Sequence, residues 1–140
     1  MSRGALVGAA VLATSLALAA DEAWVAPAAE SARPNPIAAT DAVKKRGAVL
    51  YGEHCAMCHG RAGKGDGPSA RLHAARAKPP EDLTKPEVQA RLTDGEIYWK
   101  ISSGWRQGSR VIMPRFDEKV PDDKDRWALV HHVRSLAGRP

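Results

Sequence analysis

The chain has 140 residues, a formal net charge of +5, two cysteines and 5% aromatic residues. This length allows one small domain of about 100 residues after an N-terminal leader, and it excludes a multidomain protein. Phe116 is the only phenylalanine, and a small domain this poor in aromatic bulk usually needs a staple or a cofactor to complete its core.

Residues 1–20 have the features of a secretory signal peptide. A short basic start, Met1-Ser2-Arg3, precedes an Ala-rich apolar run that ends in small residues. The run is shorter than the roughly 20 residues that a membrane-spanning helix needs. We predict cleavage after Ala19 or Ala20 and a periplasmic protein. Retention of the segment as a membrane tether is the alternative.

Residues 21–40 are predicted to be a flexible linker. The stretch is rich in Ala and Pro, with prolines at 27, 34 and 36, and it shows neither a helical nor an alternating period. The folded domain is therefore expected over 41–140.

A helix is predicted to begin at Asp41, which can cap it, and to lead into a C-x-x-C-H pentapeptide at Cys55–His59. Its predicted buried face holds Val43, Gly47, Leu50, Tyr51 and His54. The pentapeptide is typical of a c-type haem attachment site, in which Cys55 and Cys58 bond to the porphyrin vinyl groups and His59 ligates iron.

Three other kinds of site also use cysteines at this spacing. A thioredoxin-like redox pair expects a βαβ context, which the flanking sequence does not provide. A structural zinc site needs four ligands, and a second pair at finger spacing is missing, since His54 and His73 do not supply it. A disulfide across two residues would be strained. Covalent haem is therefore the favoured interpretation.

The remaining elements are predicted to be helices and loops. Gly60–Pro68 contains four glycines and is predicted to be a loop. Within it, Gly63–Gly67 lacks the preceding strand and the G-K-[ST] ending of a phosphate-binding loop. Helices are predicted to begin near Pro86, at the capping box of Thr93-Asp94-Gly95-Glu96, and at Asp122; the second ends at Gly104, and the third ends at Gly138 and Pro140. The sequence predicts no strand, so the expected class is all-α.

Met113 is the candidate for the second axial ligand of iron. Met1 belongs to the leader and Met57 lies inside the attachment loop, whereas Pro114 fixes an extended backbone at Met113. A lone methionine is ordinarily a core residue. His73 is a weaker candidate ligand, and the other histidines are expected to be surface or interface residues.

Trp99, Trp105 and Arg106 lie between the motifs and could donate hydrogen bonds to haem propionates, with Trp105 as the candidate. Ordinary core or surface roles are at least as compatible with these residue types.

Taken together, the motifs resemble those of a bacterial, periplasmic class I monohaem c-type cytochrome. The resemblance covers residues 41–138 and rests on segments in the same order: Gly47–Tyr51, Cys55–Gly60, Gly67-Pro68, Met113-Pro114 and Asp125–Val130. It implies a small all-α cytochrome c fold, with helices wrapped around one covalently bound haem.

The resemblance also implies roles for individual residues. The N-terminal helix would cross the C-terminal one at Gly47, with Tyr51 packed nearby, and the Pro68 carbonyl would orient the imidazole of His59. His132 stands where similar cytochromes often carry a tyrosine or another aromatic residue. We expect its imidazole to fill that slot with looser packing.

Ligation by His59 and Met113 would leave no vacant position on iron, which favours one-electron transfer and not catalysis. A periplasmic electron carrier between respiratory redox proteins is therefore the favoured function. The alternatives are a haem subunit of a larger oxidase, reductase or dehydrogenase, and a ligand-sensing or catalytic haem protein. The positive charge predicts redox partners with acidic docking surfaces and rates that fall as salt rises. Nucleic acid binding fits poorly with export.

Overall fold

The computed structural model describes residues 24–72 and 79–137. The predicted leader over 1–20, His73 and the helix-ending Gly138 and Pro140 lie outside the described residues. The helices and strands with described bounds are α1 (Ala28–Ser31), α2 (Asp41–His54), α3 (Ala56–His59), α4 (Pro86–Arg91), α5 (Asp94–Ser103), β1 (Trp105–Gln107), β2 (Arg110–Met113) and α6 (Asp123–Ser135). Within these ranges, no helix combines the length and the apolar character needed to cross a bilayer.

The centre of the fold is the crossing of α2 and α6 at Gly47. A Cβ atom added to Gly47 would overlap the carbonyl oxygen of Ala128 and lie 2.8 Å from its carbonyl carbon. The two backbones therefore touch, and a side chain at position 47 would separate them. Leu50 and Tyr51 follow on the same face of α2 and are each 3% exposed. The predicted crossing at Gly47 is confirmed.

His132 fills the space beside Tyr51 at this crossing. The two ring centroids lie 4.7 Å apart with the planes tilted by 47°, and His132 is 9% exposed. The Tyr51 hydroxyl donates a hydrogen bond to the carbonyl oxygen of Gly60 at 2.9 Å, and burial raises its pKa. The imidazole occupies the slot as expected, but it packs closely rather than loosely.

The helices begin where the sequence predicts, except that the capping residue of α2 lies one position earlier. Thr93 caps α5 and Asp122 caps α6. The cap of α2 is Thr40 rather than the predicted Asp41, because the Thr40 hydroxyl accepts from a backbone N–H of the first turn. Pro86 is the first residue of α4, where its missing N–H leaves no hydrogen bond unmade.

Helices α5 and α6 pack through aromatic rings and one buried guanidinium. The rings of Tyr98 and Trp127 stack with centroids 4.1 Å apart. Arg126 is 7% exposed and donates to the carbonyl oxygen of Val120 at 2.5 Å and to the Tyr98 hydroxyl at 3.0 Å. It also forms an ion pair with Asp123. These partners compensate the burial of a charged group, which would otherwise be strongly destabilising.

The segment predicted to be a flexible linker instead packs across α5 and α6 over residues 24–40, which we call the strap. It contains the one-turn helix α1. The Thr93 hydroxyl donates to the carbonyl oxygen of Ser31 at 2.7 Å. The side-chain amide of Asn35 donates to the carbonyl oxygen of Trp127 at 3.1 Å. The prediction was wrong for these residues because single polar and aromatic side chains anchor the strap, and such anchors leave no periodic pattern.

Strands β1 and β2 form an antiparallel hairpin, although the sequence predicts no strand. Gln107 pairs with Arg110 across a two-residue turn in which Gly108 has a φ of +57°. A positive φ at this position matches the twist of a two-residue hairpin and favours glycine. Strands of three and four residues are too short to give a readable alternation. The all-α class is confirmed, with this hairpin as an addition.

Candidate haem site

Cys55, Cys58 and His59 lie on one tight turn where α2 passes into α3. The carbonyl oxygen of Cys55 accepts hydrogen bonds from the backbone N–H groups of Cys58 at 3.2 Å and of His59 at 2.9 Å. Both cysteines are half-buried thiols, whereas the intervening Met57 is 59% exposed. The turn thus half-buries both thiols and leaves the Met57 side chain in solvent.

The raised pKa values of the two thiols differ from those of a redox-active pair. Burial raises the pKa of Cys55 to about 12, with the neighbouring Cys58 adding to the shift, and burial also raises the pKa of Cys58. Redox-active pairs have lowered pKa values, since the thiolate is the nucleophile. Among residues 24–72 and 79–137, no group of three or more Cys, His, Asp or Glu side chains could hold a metal ion. A four-ligand zinc site therefore has no support there.

The loop Gly60–Ser69 folds back onto the attachment turn. Three of its backbone N–H groups donate to carbonyl oxygens of the turn: Gly65 to His59 at 2.8 Å, Gly67 to Cys58 at 3.2 Å, and Ser69 to Met57 at 2.9 Å. Pro68 is therefore held close to the turn. The His59 ring is half-buried with its Nδ1 atom shielded from solvent, so that nitrogen lies on the interior side. The orienting contact from the Pro68 carbonyl stays a prediction.

Met113 is the last residue of β2 and is half-buried. Met113 and Cys55 both pack against the same hydrophobic core, so the hairpin and the attachment turn border one continuous core. The backbone at Met113 is extended, as the following Pro114 predicts. Ligation of iron by Met113 stays a prediction.

Three other histidines have neighbours that suit structural roles. These are His54 with the Phe116 ring at 6.1 Å, His131 with the Ile37 carbonyl oxygen at 2.8 Å, and His132 with the Tyr51 ring. His73, the alternative axial ligand, lies outside the described residues. Surface or interface roles, as predicted, therefore fit the histidines of the described ranges outside the attachment turn.

The three residues considered for the haem propionates lie around one surface cavity, beside Trp24. The Trp105 ring stacks on Trp24, with centroids 5.2 Å apart and an interplanar angle of 6°. Arg106 is exposed and donates to the carbonyl oxygen of Ser109 within the hairpin at 3.2 Å. Trp24, Trp99, Trp105 and Arg106 line a surface cavity of about 510 Å³. Propionate contact by Trp105 stays a prediction. Trp24 was missed because its Ala- and Pro-rich surroundings give no signal.

The family of the chain follows from comparison with known proteins. A family model described as cytochrome c oxidase, cbb3-type, subunit III matches residues 42–133. The chain belongs to this family of c-type cytochromes. No curated protein matches the cytochrome.

Several solved structures resemble the cytochrome. The first belongs to the Kuenenia stuttgartiensis reducing HAO-like protein complex Kustc0457/Kustc0458, with 29% identity and a TM-score of 0.60 over 73% of this chain and 47% of that chain. The cytochrome thus spans about half of the length of the chain it matches. The second is the KustC0563 c-type cytochrome, with 28% identity and a TM-score of 0.51 over 65% of this chain and 96% of that chain.

Membership of the family implies haem c, with its iron, as the cofactor. The residues present fit this group: two thiols lie on one turn, the adjacent imidazole has its Nδ1 atom inside the protein, and a half-buried thioether borders the same core. Cys55 and Cys58 would hold the porphyrin, and His59 and Met113 would hold the iron.

Replacing both Cys55 and Cys58 by serine is expected to leave the polypeptide largely unfolded. The small domain needs an apolar cofactor to complete its core, so attachment and folding are linked. Far-ultraviolet circular dichroism of the haem-free double variant should retain little of the helical signal and show no cooperative melting. Met57→Ser, in the same turn but exposed, is the control that should fold normally. A near-native spectrum of the double variant would count against the linkage.

Proposed function

We propose that this cytochrome is a periplasmic one-electron carrier with a single haem c, ligated by His59 and Met113. The observation that carries the proposal is that the attachment turn and the half-buried thioether of Met113 border one core. The sequence contains two cysteines and hence one attachment motif, which supports one haem.

The residues of the site favour electron transfer over catalysis. The haem supplies reversible one-electron chemistry when it is bound. His59 and Met113 would both hold the iron, so that neither a substrate nor a small ligand would find a free coordination position. The loop Gly60–Ser69 holds the attachment turn through three backbone hydrogen bonds. The hairpin, which lies much later in the sequence, holds Met113. Their role is to keep the coordination closed and to exclude water.

A second candidate is the haem subunit of a larger oxidase, reductase or dehydrogenase. The matched family is described as an oxidase subunit, and the first similar structure belongs to a protein complex whose matched chain is longer, since 47% of it is covered. Native purification separates the two candidates. A carrier elutes alone as a small cytochrome, whereas a permanent subunit co-purifies with a larger redox partner at constant stoichiometry.

The net charge of +5 supports partners that present acidic docking surfaces, on periplasmic or membrane-bound redox proteins. Oxidation of the reduced cytochrome by ferricyanide, an anion, should slow by about threefold or more between about 0.01 and 0.15 M ionic strength, because salt screens the attraction. Hexaamminecobalt(III), a cation, is the control and should react no more slowly as salt rises. Parallel salt dependence for the two oxidants would contradict a positively charged docking face.

Export to the periplasm is supported by the leader-like sequence over 1–20. The mass of the mature protein tests this step. Cleavage after Ala19 or Ala20 predicts a mass equal to that of the shortened chain plus one haem. A mature chain that keeps residues 1–20 and sediments with membranes would instead support the tether.

A further inference from the structure

The N-terminal end of the strap lies beside the hairpin that carries Met113. The indole N–H of Trp24 donates to the carbonyl oxygen of Gly104 at 2.9 Å, and its ring stacks on Trp105. Trp105 is the residue of β1 that pairs with Met113 in the hairpin register. Gly104 also lies against Met113, since a Cβ atom added to Gly104 would lie 2.5 Å from the Met113 carbonyl oxygen. Trp24 therefore contacts both residues that back the predicted axial ligand.

Lys100 holds Trp24 in this position. Its ammonium group donates to the carbonyl oxygen of Trp24 and lies 4.0 Å from the centroid of the indole ring. An ion pair of 3.3 Å with Glu96 fixes the lysine side chain along α5. A cation over an indole face and a direct hydrogen bond give Trp24 a defined orientation on a rigid helix.

The strap is also anchored at its middle. The backbone of the strap occupies the space over Gly95, where an added Cβ atom would overlap the Glu30 carbonyl oxygen and lie 2.8 Å from that of Arg33. The Arg33 guanidinium lies over the rings of Tyr98 and Trp127, at 4.8 and 5.3 Å from their centroids. Trp24 is therefore the end of a segment fixed along α5 and α6, and not an isolated surface contact.

The hairpin needs such support. Arg106, Gln107 and the residues at 108–111 are exposed, and an isolated two-stranded hairpin is marginally stable in water. The hairpin has two anchors of its own: Ile112 is buried, and the following chain is tied to α5 by the Phe116 N–H bond to the Ile101 carbonyl oxygen at 3.1 Å. These lie on the β2 side. Trp24 supplies a further anchor on the β1 side, where the hairpin continues from α5 at the buried Gly104.

We propose that the strap clamps the Met113 hairpin and that Trp24 is a positioning residue for the axial thioether. The proposal rests on the ligation by Met113 proposed above. With Trp24 in place the hairpin holds the thioether toward the iron, and without it the hairpin separates from the iron more often. The leader cleavage predicted after Ala19 or Ala20 keeps Trp24 in the mature protein.

Carbon monoxide binding to the reduced, haem-loaded protein tests the clamp, because the gas binds only while the thioether is displaced and its rate follows that population. Trp24→Ala should bind carbon monoxide about tenfold faster than the wild type, the change expected from losing a ring stack and a hydrogen bond. Trp24→Phe keeps the stack and should fall between them. The reduction potential of Trp24→Ala should decrease as well.

Two control variants separate the clamp from general loss of stability. Val25→Ala alters an exposed strap residue, 63% accessible, and should leave the rate unchanged. Gly47→Ala destabilises the crossing of α2 and α6, and it should accelerate binding much less than Trp24→Ala does. A Trp24→Ala rate within about twofold of the wild type, or an equal acceleration by Gly47→Ala, would overturn the clamp. Rapid binding by the wild type itself would instead overturn Met113 ligation, and the clamp with it.

Discussion

Replacing Met113 by alanine is expected to let carbon monoxide bind readily to the reduced cytochrome, which the wild type should resist. Alanine supplies no donor atom, so the sixth position of the iron would open. The reduction potential should also fall by about a tenth of a volt or more, within the range of about 0.8 V that axial ligands span, because the thioether favours the reduced state. Optical spectra with and without the gas, together with a redox titration, measure both effects.

Met57→Ala is the matched control for this experiment. Met57 lies in the attachment turn and is 59% exposed, so its removal should change neither gas binding nor the potential. Closed coordination in Met113→Ala, with a spectrum identical to that of the wild type, would refute the ligand assignment. His73, the other candidate ligand, would then be the next residue to replace.

Replacing Gly47 by alanine is expected to lower the free energy of unfolding by about 2 kcal/mol or more, because overpacking of a close contact is destabilising even for one methyl group. The added Cβ atom would overlap the carbonyl oxygen of Ala128 and lie 3.1 Å from the Cβ atom of His132. Helix α6 would have to move away from α2. Guanidinium unfolding of the haem-loaded protein, followed by circular dichroism, gives the difference.

Gly52→Ala is the control on the same helix. A Cβ atom added to Gly52 meets no atom within 4 Å, so the substitution should be neutral or should stabilise α2 by about 0.5–1 kcal/mol through helix propensity. Equal destabilisation by the two substitutions would show that the contact with Ala128 is not the cause. Opposite signs would isolate the backbone contact at the crossing.

The sequence predicted the features that are encoded locally. The attachment pentapeptide at Cys55–His59 fixes its own turn, because the spacing of the cysteines equals one turn of helix. The caps at Thr93 and Asp122 were predictable for the same reason, since a capping side chain acts on backbone groups two or three residues away. The Gly47 crossing came from the resemblance to the cytochromes and not from the residues alone.

The strap and the hairpin could not be predicted in the same way. The partners of Trp24 are Lys100, Gly104 and Trp105, far away in sequence, and the packing of single aromatic residues against distant helices leaves no local signature. Prolines and alanines gave the segment the composition of a linker. Composition indicates that a segment will not form a long helix or strand. The strap is nevertheless ordered, because it contacts residues that only the complete fold brings close to it.

The meeting of α2 with α6 also has a bearing on the time course of biogenesis. On the export route proposed above, a polypeptide that emerges N-terminus first would present Cys55 and Cys58 long before Ala128, the backbone partner of Gly47, has followed. During that interval the principal interface of the domain would be incomplete, so the thiols that the finished fold half-buries would still be open to haem attachment. Delivery of the chain from its N-terminus would therefore let haem attachment precede the packing of α6 against α2.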